Sequence, residues 1–246
     1  MKKILFILSV LLLAGCTKVD IIQEIRDANK DLTNYSMEME LIMEGLEEGQ
    51  EVSISFGIAT EIQDEITHST TSIDLMGMTL EAEQYTVVEE NQVTVYSGFM
   101  GQWNSEVYEV DSVEFEEEDM TFDKDMIMNL LKAEFTGLDD MEIDGDKVSL
   151  IKMDIALADM DEIVDGTDML AGMFDEETIA DDEKTVALTI GYDSDYLIRY
   201  ISLDFTETAK DIAADEGNEL TSLRIDITIS DHNEIDISIP EEVLNN

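Results

Sequence analysis

The sequence predicts a β-rich α+β fold built on a large antiparallel sheet. Three observations predict it. Apolar and polar residues alternate over much of the chain, as Met37, Met39, Leu41 and Met43 do against Ser36, Glu38, Glu40 and Glu44, and a period of two marks half-buried strands. Helical spacing is confined to three windows. Proline occurs once, at Pro240, which suits strands that must donate their N–H groups to a ladder.

The N-terminus has a different logic. Met1-Lys2-Lys3 is basic, Ile4 to Leu13 is almost wholly apolar, and Ala14-Gly15-Cys16 closes the run with small residues. These are the parts of a secretory signal, and the run falls short of the roughly 20 residues that span a bilayer. Leu13-Ala14-Gly15-Cys16 resembles the bacterial lipobox. The resemblance implies cleavage between Gly15 and Cys16 and a diacylglyceryl group on the Cys16 sulfur. A thiolate is the side-chain nucleophile suited to that attachment, and two acyl chains hold a protein at a membrane where one holds marginally. Residues 1–15 are therefore expected to be removed, 16–19 to form a lipid-anchored tether, and 20–246 to form a single domain. Cys16 is the sole cysteine, so no internal disulfide is expected.

After the tether, Asp20 to Leu32 places Ile21, Ile25, Ala28 and Leu32 on one helical face. The period then changes to two. Ile42 interrupts the first alternation, and Val52, Ile54, Phe56 and Ile58 resume it. Further strands are expected at about 66–75, 79–89, 92–98 and 102–110, with turns at Glu90-Asn91 and Gly101-Gln102. Met126, Ile127, Leu130, Leu131 and Ala133 give a helix at about 123–135, which Gly137 stops. Met141 to Ile143 and Val148 to Ile155 flank Asp144-Gly145, a hairpin turn. Met160, Val164, Leu170 and Phe174 give a third helix at about 157–174, weakened by Gly166 and Gly172. Strands follow at about 184–192, 196–206, 219–229 and 234–239, for about a dozen in all. No linker divides the chain, and 34–110 and 138–239 read as two halves of one sheet.

Charge excludes some functions. Sixty Asp and Glu against 13 Lys and Arg give a formal charge of −47. No basic stripe is available to neutralise phosphates, so nucleic acid is not a partner. Anionic lipid head groups would also be repelled, which leaves the lipid to do the anchoring. The charge reads first as a solvated surface; a saline or alkaline habitat and weak collection of divalent cations are other readings. With 44% apolar residues in patterned segments, the chain is not a disordered acidic tail.

Chemical motifs are sparse. His68 and His232 are the only histidines; Ser69 and Thr70 follow His68, but neighbours on a strand point to opposite faces. No nucleophile elbow, phosphate-binding glycine loop or zinc spacing occurs. Asp140-x-Glu142-x-Asp144-Gly145 begins like a calcium loop, yet its twelfth position is Ile151 where a glutamate is needed. Met37-x-Met39 and Met76-x-Met78 lack the histidine or cysteine that would support a copper(I) site. The reading is a non-enzyme with no catalytic residue, no cofactor and no metal. Methionine is abundant, at 15 residues. Its flexible thioether can line a pocket for variable apolar ligands, while core packing is the ordinary role of such residues. Trp103, the one tryptophan, reads as a sheet-packing residue or as one at a cavity mouth.

The layout resembles the LolA-like and LppX-like lipoprotein folds and the Gram-positive lipoproteins of the DUF6612 type. A lipidated Cys16 and a short helix lead into "NYSMEMELIME"; "VTVYSGFMGQWNSEVYEV" resembles their paired strands with a central tryptophan; "IDISIPEEV" resembles their closing segment. The resemblance implies a strongly curved antiparallel half-barrel of about 11–12 strands, with helices covering the concave face and an apolar cavity between. It also implies a hydrophobic or lipidic ligand, or a lipidated partner, with Met37, Met39, Met43, Met126, Leu130, Met160, Val164 and Leu170 as the lining. The expected place is the extracytoplasmic face of the cell membrane, held by the lipid anchor. A protein-interaction or envelope-structure module with a self-filled core is the alternative; a two-lobed importer component fits the single sheet less well. The sequence leaves the oligomeric state open.

Overall fold

The computed structural model describes residues 21–30, 32–47, 50–75, 78–89, 92–109, 135–158, 174, 176–179, 181, 184–215 and 219–244. The expected signal peptide, Cys16 and its tether lie outside these residues. So do 123–134 and 159–173, the greater part of the second and third helical windows.

Six strands run as an unbroken antiparallel meander: β1 (Asn34–Glu47), β2 (Gln50–Gln63), β3 (Ile66–Leu75), β4 (Met78–Glu89), β5 (Gln92–Phe99) and β6 (Gln102–Glu109). The second half supplies β7 (Phe135–Gly137), β8 (Met141–Ile143), β9 (Asp146–Ala156), β10 (Thr185–Tyr192), β11 (Ile198–Asp204) and β12 (Glu219–Ser230). The first and last strands pair, Met39 opposite Ile227 and Leu41 opposite Ile225. That pairing fuses the halves into one 12-stranded sheet ordered β6-β5-β4-β3-β2-β1-β12-β11-β10-β9-β7, with β8 beside β9. The two expected halves of one sheet are thus observed. The path is open; among the described residues β6 and β7 are its ends.

Because side chains alternate, register fixes which residues share a face. Leu188 lies opposite Met153 and Leu203, Leu203 opposite Ile225, and Ile225 opposite Leu41. This face holds the core. Ile151, Met153, Ile155, Val186, Leu188, Ile190, Ile201, Leu203, Ile225 and Ile229 are buried there, with Phe205, Leu157 and Phe174 beside them. A fully buried side chain of this size contributes roughly 1.5–3 kcal/mol of transfer free energy, so among the described residues β9–β12 carry most of the apolar stabilisation. Ile25 of the first helix, α1 (21–29), is buried in the same cluster, and Ile21, Met37, Met39 and Leu41 pack against it.

Side-chain amides tie the chain ends to the sheet. Asn29, at the end of α1, donates to the Tyr196 carbonyl at 3.0 Å and accepts from the Ile198 amide at 3.2 Å. Asn34 donates to the Ile235 carbonyl at 2.9 Å and accepts from its amide at 2.8 Å. Gln63 accepts from the Ile237 amide at 2.7 Å. Residues 234–239, expected as a strand, are therefore an extended tail and not part of the ladder. The alternation of exposure survives, but side chains rather than a neighbouring strand meet these backbone groups.

Other expectations need correction. Phe135, the expected last residue of a helix, opens strand β7 against Met153; the following Gly137 continues that strand opposite Ile151. The short helix α2 (Glu176–Ile179) follows the third window. The helix α3 (Thr206–Asp215) lies outside the three helical windows expected from the sequence. Asp204 caps it by accepting from the Thr206 amide at 2.9 Å. Thr208 donates to the Thr185 carbonyl at 2.9 Å, seating α3 beside β10. The last described helix is α4 (Glu241–Leu244), whose Val243 is buried. Asp144-Gly145 turns the β8–β9 hairpin as expected, both residues at positive φ (54° and 89°). The β5–β6 turn is Met100-Gly101, one residue before the expected pair, at φ of 52° and 76°.

Candidate functional site

The core face does not end where the core ends. The ladders from β1 to β6 carry no register shift, so the face continues in straight cross-strand rows. One row reads Leu41, Phe56, Ile73, Leu80. The next reads Met39, Ile58, Thr71, Ala82, Phe99. Burial falls along them. Leu41, Phe56 and Ile73 are half-buried, whereas Leu80 is 47% and Phe99 50% exposed. Met78, which precedes Leu80 on the same face of β4, is 70% exposed, and Met43 at the far end of β1 is 38% exposed. Exposed large apolar residues on one continuous face mark a surface suited to an apolar partner.

Two of the sequence-named lining residues lie nearer the core than this surface. Met37 and Met39 are half-buried against the core cluster, opposite Ile229 and Ile227. Met43 lies at the exposed end of the same strand. Met126, Leu130, Met160, Val164 and Leu170 lie outside the described residues, as do Gly15 and Cys16. Leu80 and Phe99 were not singled out from the sequence. Their alternation was visible, but which rows stay uncovered depends on how far the core of the second half extends.

The opposite face of β2–β6 carries an aromatic group. His68 Nδ1 lies 3.1 Å from Glu61 Oε2. The His68 ring is stacked on buried Tyr85, and Tyr85 meets Trp103 at a centroid distance of 5.7 Å. Burial raises the Tyr85 pKa, with Glu83 and Glu61 adding to the effect. The Trp103 ring lies over Gly98, where a Cβ would fall 2.8 Å from three of its carbons. Trp103 therefore pins β5 and β6 on the face away from the core. Ser69, next to His68 in sequence, lies on the core face, its Oγ 3.2 Å from Thr60 Oγ1. His68 and Ser69 do not meet, as strand geometry requires.

The acidic run at 140–145 serves the β8–β9 hairpin. Asp140 pairs with Lys147 and accepts from Ser149 at 3.0 Å, which holds its carboxyl below the usual range, the Lys147 contact first. Among the described residues, no group of three or more His, Cys, Asp or Glu is arranged to hold a metal ion. No described helix is long and apolar enough to cross a membrane.

No protein-family model matches the chain. No curated protein sequence matches it either. Among solved structures the chain is similar to LprF from Mycobacterium bovis, at 13% identity over 92% of this chain and 96% of that one, with a TM-score of 0.48. It is similar to the Mycobacterium tuberculosis lipoprotein LppX at 13% identity over 90% and 97%, with a TM-score of 0.45. A LolA superfamily protein from Nitrosomonas europaea is similar at 8% identity over 91% and 95%, with a TM-score of 0.23.

Proposed function

We propose that the chain is a lipid-anchored protein of the extracytoplasmic membrane face that holds an apolar, lipidic ligand against the core face of β1–β5. The observation that carries this reading is the run of apolar rows from the packed core out to exposed Met43, Met78, Leu80 and Phe99. A solvated acidic protein gains nothing from leaving that surface in water, where each apolar Å² costs about 25 cal/mol relative to burial. In this reading the sheet curls into a half-barrel. Met37, Met39, Met43, Met126, Leu130, Met160, Val164 and Leu170 join the lining, and Cys16 supplies the anchor. Holding a lipid beside the membrane needs binding and no bond-making, which agrees with the sparse chemical motifs.

Native mass spectrometry of the processed protein, extracted in mild detergent, tests the reading. A lipid bound one to one is expected, and so is a rise in fluorescence of the neutral probe N-phenyl-1-naphthylamine that Leu80→Asp diminishes. A ligand-free mass together with no probe response overturns it. Cys16→Ala is expected to leave an uncleaved precursor; normal processing of that variant would remove the anchor.

A further inference from the structure

Charge is segregated across β1–β5, and the segregation ends at β6, where Glu106 lies opposite Val95 on the core face. On the core face, the side chains from Tyr35 to Met43 of β1, Val52 to Ile62 of β2, Thr67 to Ile73 of β3, Met78 to Val88 of β4 and Val93 to Phe99 of β5 include no charged group. The chain as a whole is 30% charged. The same strands carry Glu38, Glu40, Glu44, Glu61, Glu81 and Glu83 on the opposite face. Burial alone does not explain the segregation. Met78, Leu80, Gln84 and Phe99 are exposed, and exposed strand positions in so acidic a chain would ordinarily hold carboxylates.

The uncharged face is also zoned. Beside the apolar rows runs a hydroxyl and amide row, Thr60, Ser69, Gln84, Ser97. Thr60 and Ser69 bond each other at 3.2 Å, and Gln84 donates to Thr86 at 3.3 Å. Apolar side chains thus adjoin neutral hydrogen-bonding groups, and among the described residues β1–β5 place no cation on this face to receive a phosphate or carboxylate. An anionic head group set on this row would lose hydration without a counter-charge, and that costs far more than burying a hydroxyl or ester that finds a partner.

From this we infer that the ligand is an uncharged acyl lipid, with its chains on the Leu41–Leu80 and Met39–Phe99 rows and its hydroxyl- or ester-bearing end at the exposed Gln84 and Ser97 of the polar row, whose Thr60 is buried. The inference rests on the lipid-holding reading above and narrows it from any lipid to a neutral one.

Displacement of N-phenyl-1-naphthylamine from the processed full chain tests it, with monooleoylglycerol against oleoyl lysophosphatidic acid. The two probes share a chain and differ in the phosphate. The comparison is made at roughly half-molar salt, where repulsion by distant carboxylates is screened. The neutral probe is expected to bind at least about tenfold more tightly, because only the anion is desolvated without a partner. Equal or tighter binding of the phosphate probe overturns this inference and leaves the lipid-holding reading standing. Displacement by neither overturns both. Gln84→Lys places a cation on the polar row, and is expected to shift the ratio of the two affinities several-fold toward the phosphate probe, as a local charge pair would. An unchanged ratio in that variant also overturns the placement of the polar end.

Discussion

The imidazole of His68 lies flat against the phenol ring of Tyr85, with ring centroids 4.3 Å apart and planes 11° from parallel. The two residues are direct cross-strand partners of β3 and β4. Their stack lies on the acid-rich face, where Glu61 holds His68 and Trp103 leans on Tyr85. With few apolar residues on that face, the aromatic group is the main packing that fixes β3 to β6 from behind.

Replacing Tyr85 with Ala should therefore destabilise the protein by about 3 kcal/mol, in the range for removing a buried aromatic ring. It should also expose Trp103. Because Trp103 is the sole tryptophan, its emission reports the change without interference. Urea unfolding followed at Trp103 should show a lower midpoint and a native baseline already shifted to the red. An unchanged midpoint would mean that the group is ornamental.

Gly98 provides a finer test of the same packing. A methyl group there would fall 2.8 Å from three carbons of the Trp103 ring, closer than atoms approach without displacement. Gly98→Ala should push the indole off β5 and cost about 1–3 kcal/mol, the usual penalty for overpacking. The near-ultraviolet dichroism of Trp103 should weaken while the far-ultraviolet signal persists, since the ladder does not use the side chain.

Asn34 ties together residues 201 positions apart in sequence, donating to and accepting from the backbone of Ile235. Asn34→Ala leaves that amide and carbonyl without their partner. The expected loss is about 1–3 kcal/mol, confined largely to the tail. Hydrogen exchange at the Ile235 and Ile237 amides should accelerate well before that of β12; uniform acceleration would show that the tail is integral to global stability.

Several of these relationships could be read from the sequence and others could not. The strands β1–β6 are legible because polar and apolar residues alternate over most of their length, Ile42 apart, and the 34–110 and 138–239 halves because both carry that period. Helix α3 was missed: Thr206–Asp215 buries Thr208 and Ala209 and shows no stripe of large apolar side chains. Its signal was the cap at Asp204, which only a search for helix starts would have found. Residues 234–239 alternate as cleanly as any strand, but alternation records which side chains are buried and not what the backbone bonds to. The apolar rows were half legible. Met43 was named, whereas Leu80 and Phe99 acquire meaning only when four successive registers line them up. Phe135 was assigned to a helix because a following glycine is a common stop; its pairing with Met153 is a long-range fact that no local window contains.

His232 supplies the last prediction, a dependence on pH. Its Nε2 lies 3.2 Å from the Ile198 carbonyl. Burial, and next the Arg199 cation, push its pKa below the ordinary 6.5; the Ile198 carbonyl, Asp193 and Asp231 oppose the shift without cancelling it. The folded protein therefore resists a proton that the unfolded chain accepts at about 6.5. Its contribution to stability is complete above that value. It declines as pH falls through about 6.5 toward the lower folded pKa, and levels off once both states are protonated. His232→Gln keeps an N–H for the Ile198 carbonyl and removes the titration. The difference in unfolding free energy between the two proteins should then shift in favour of the variant between about pH 7.5 and 5.5, above the range in which ordinary carboxylates titrate. A difference that stays flat over this interval would show that His232 takes its proton equally in the folded and unfolded chain.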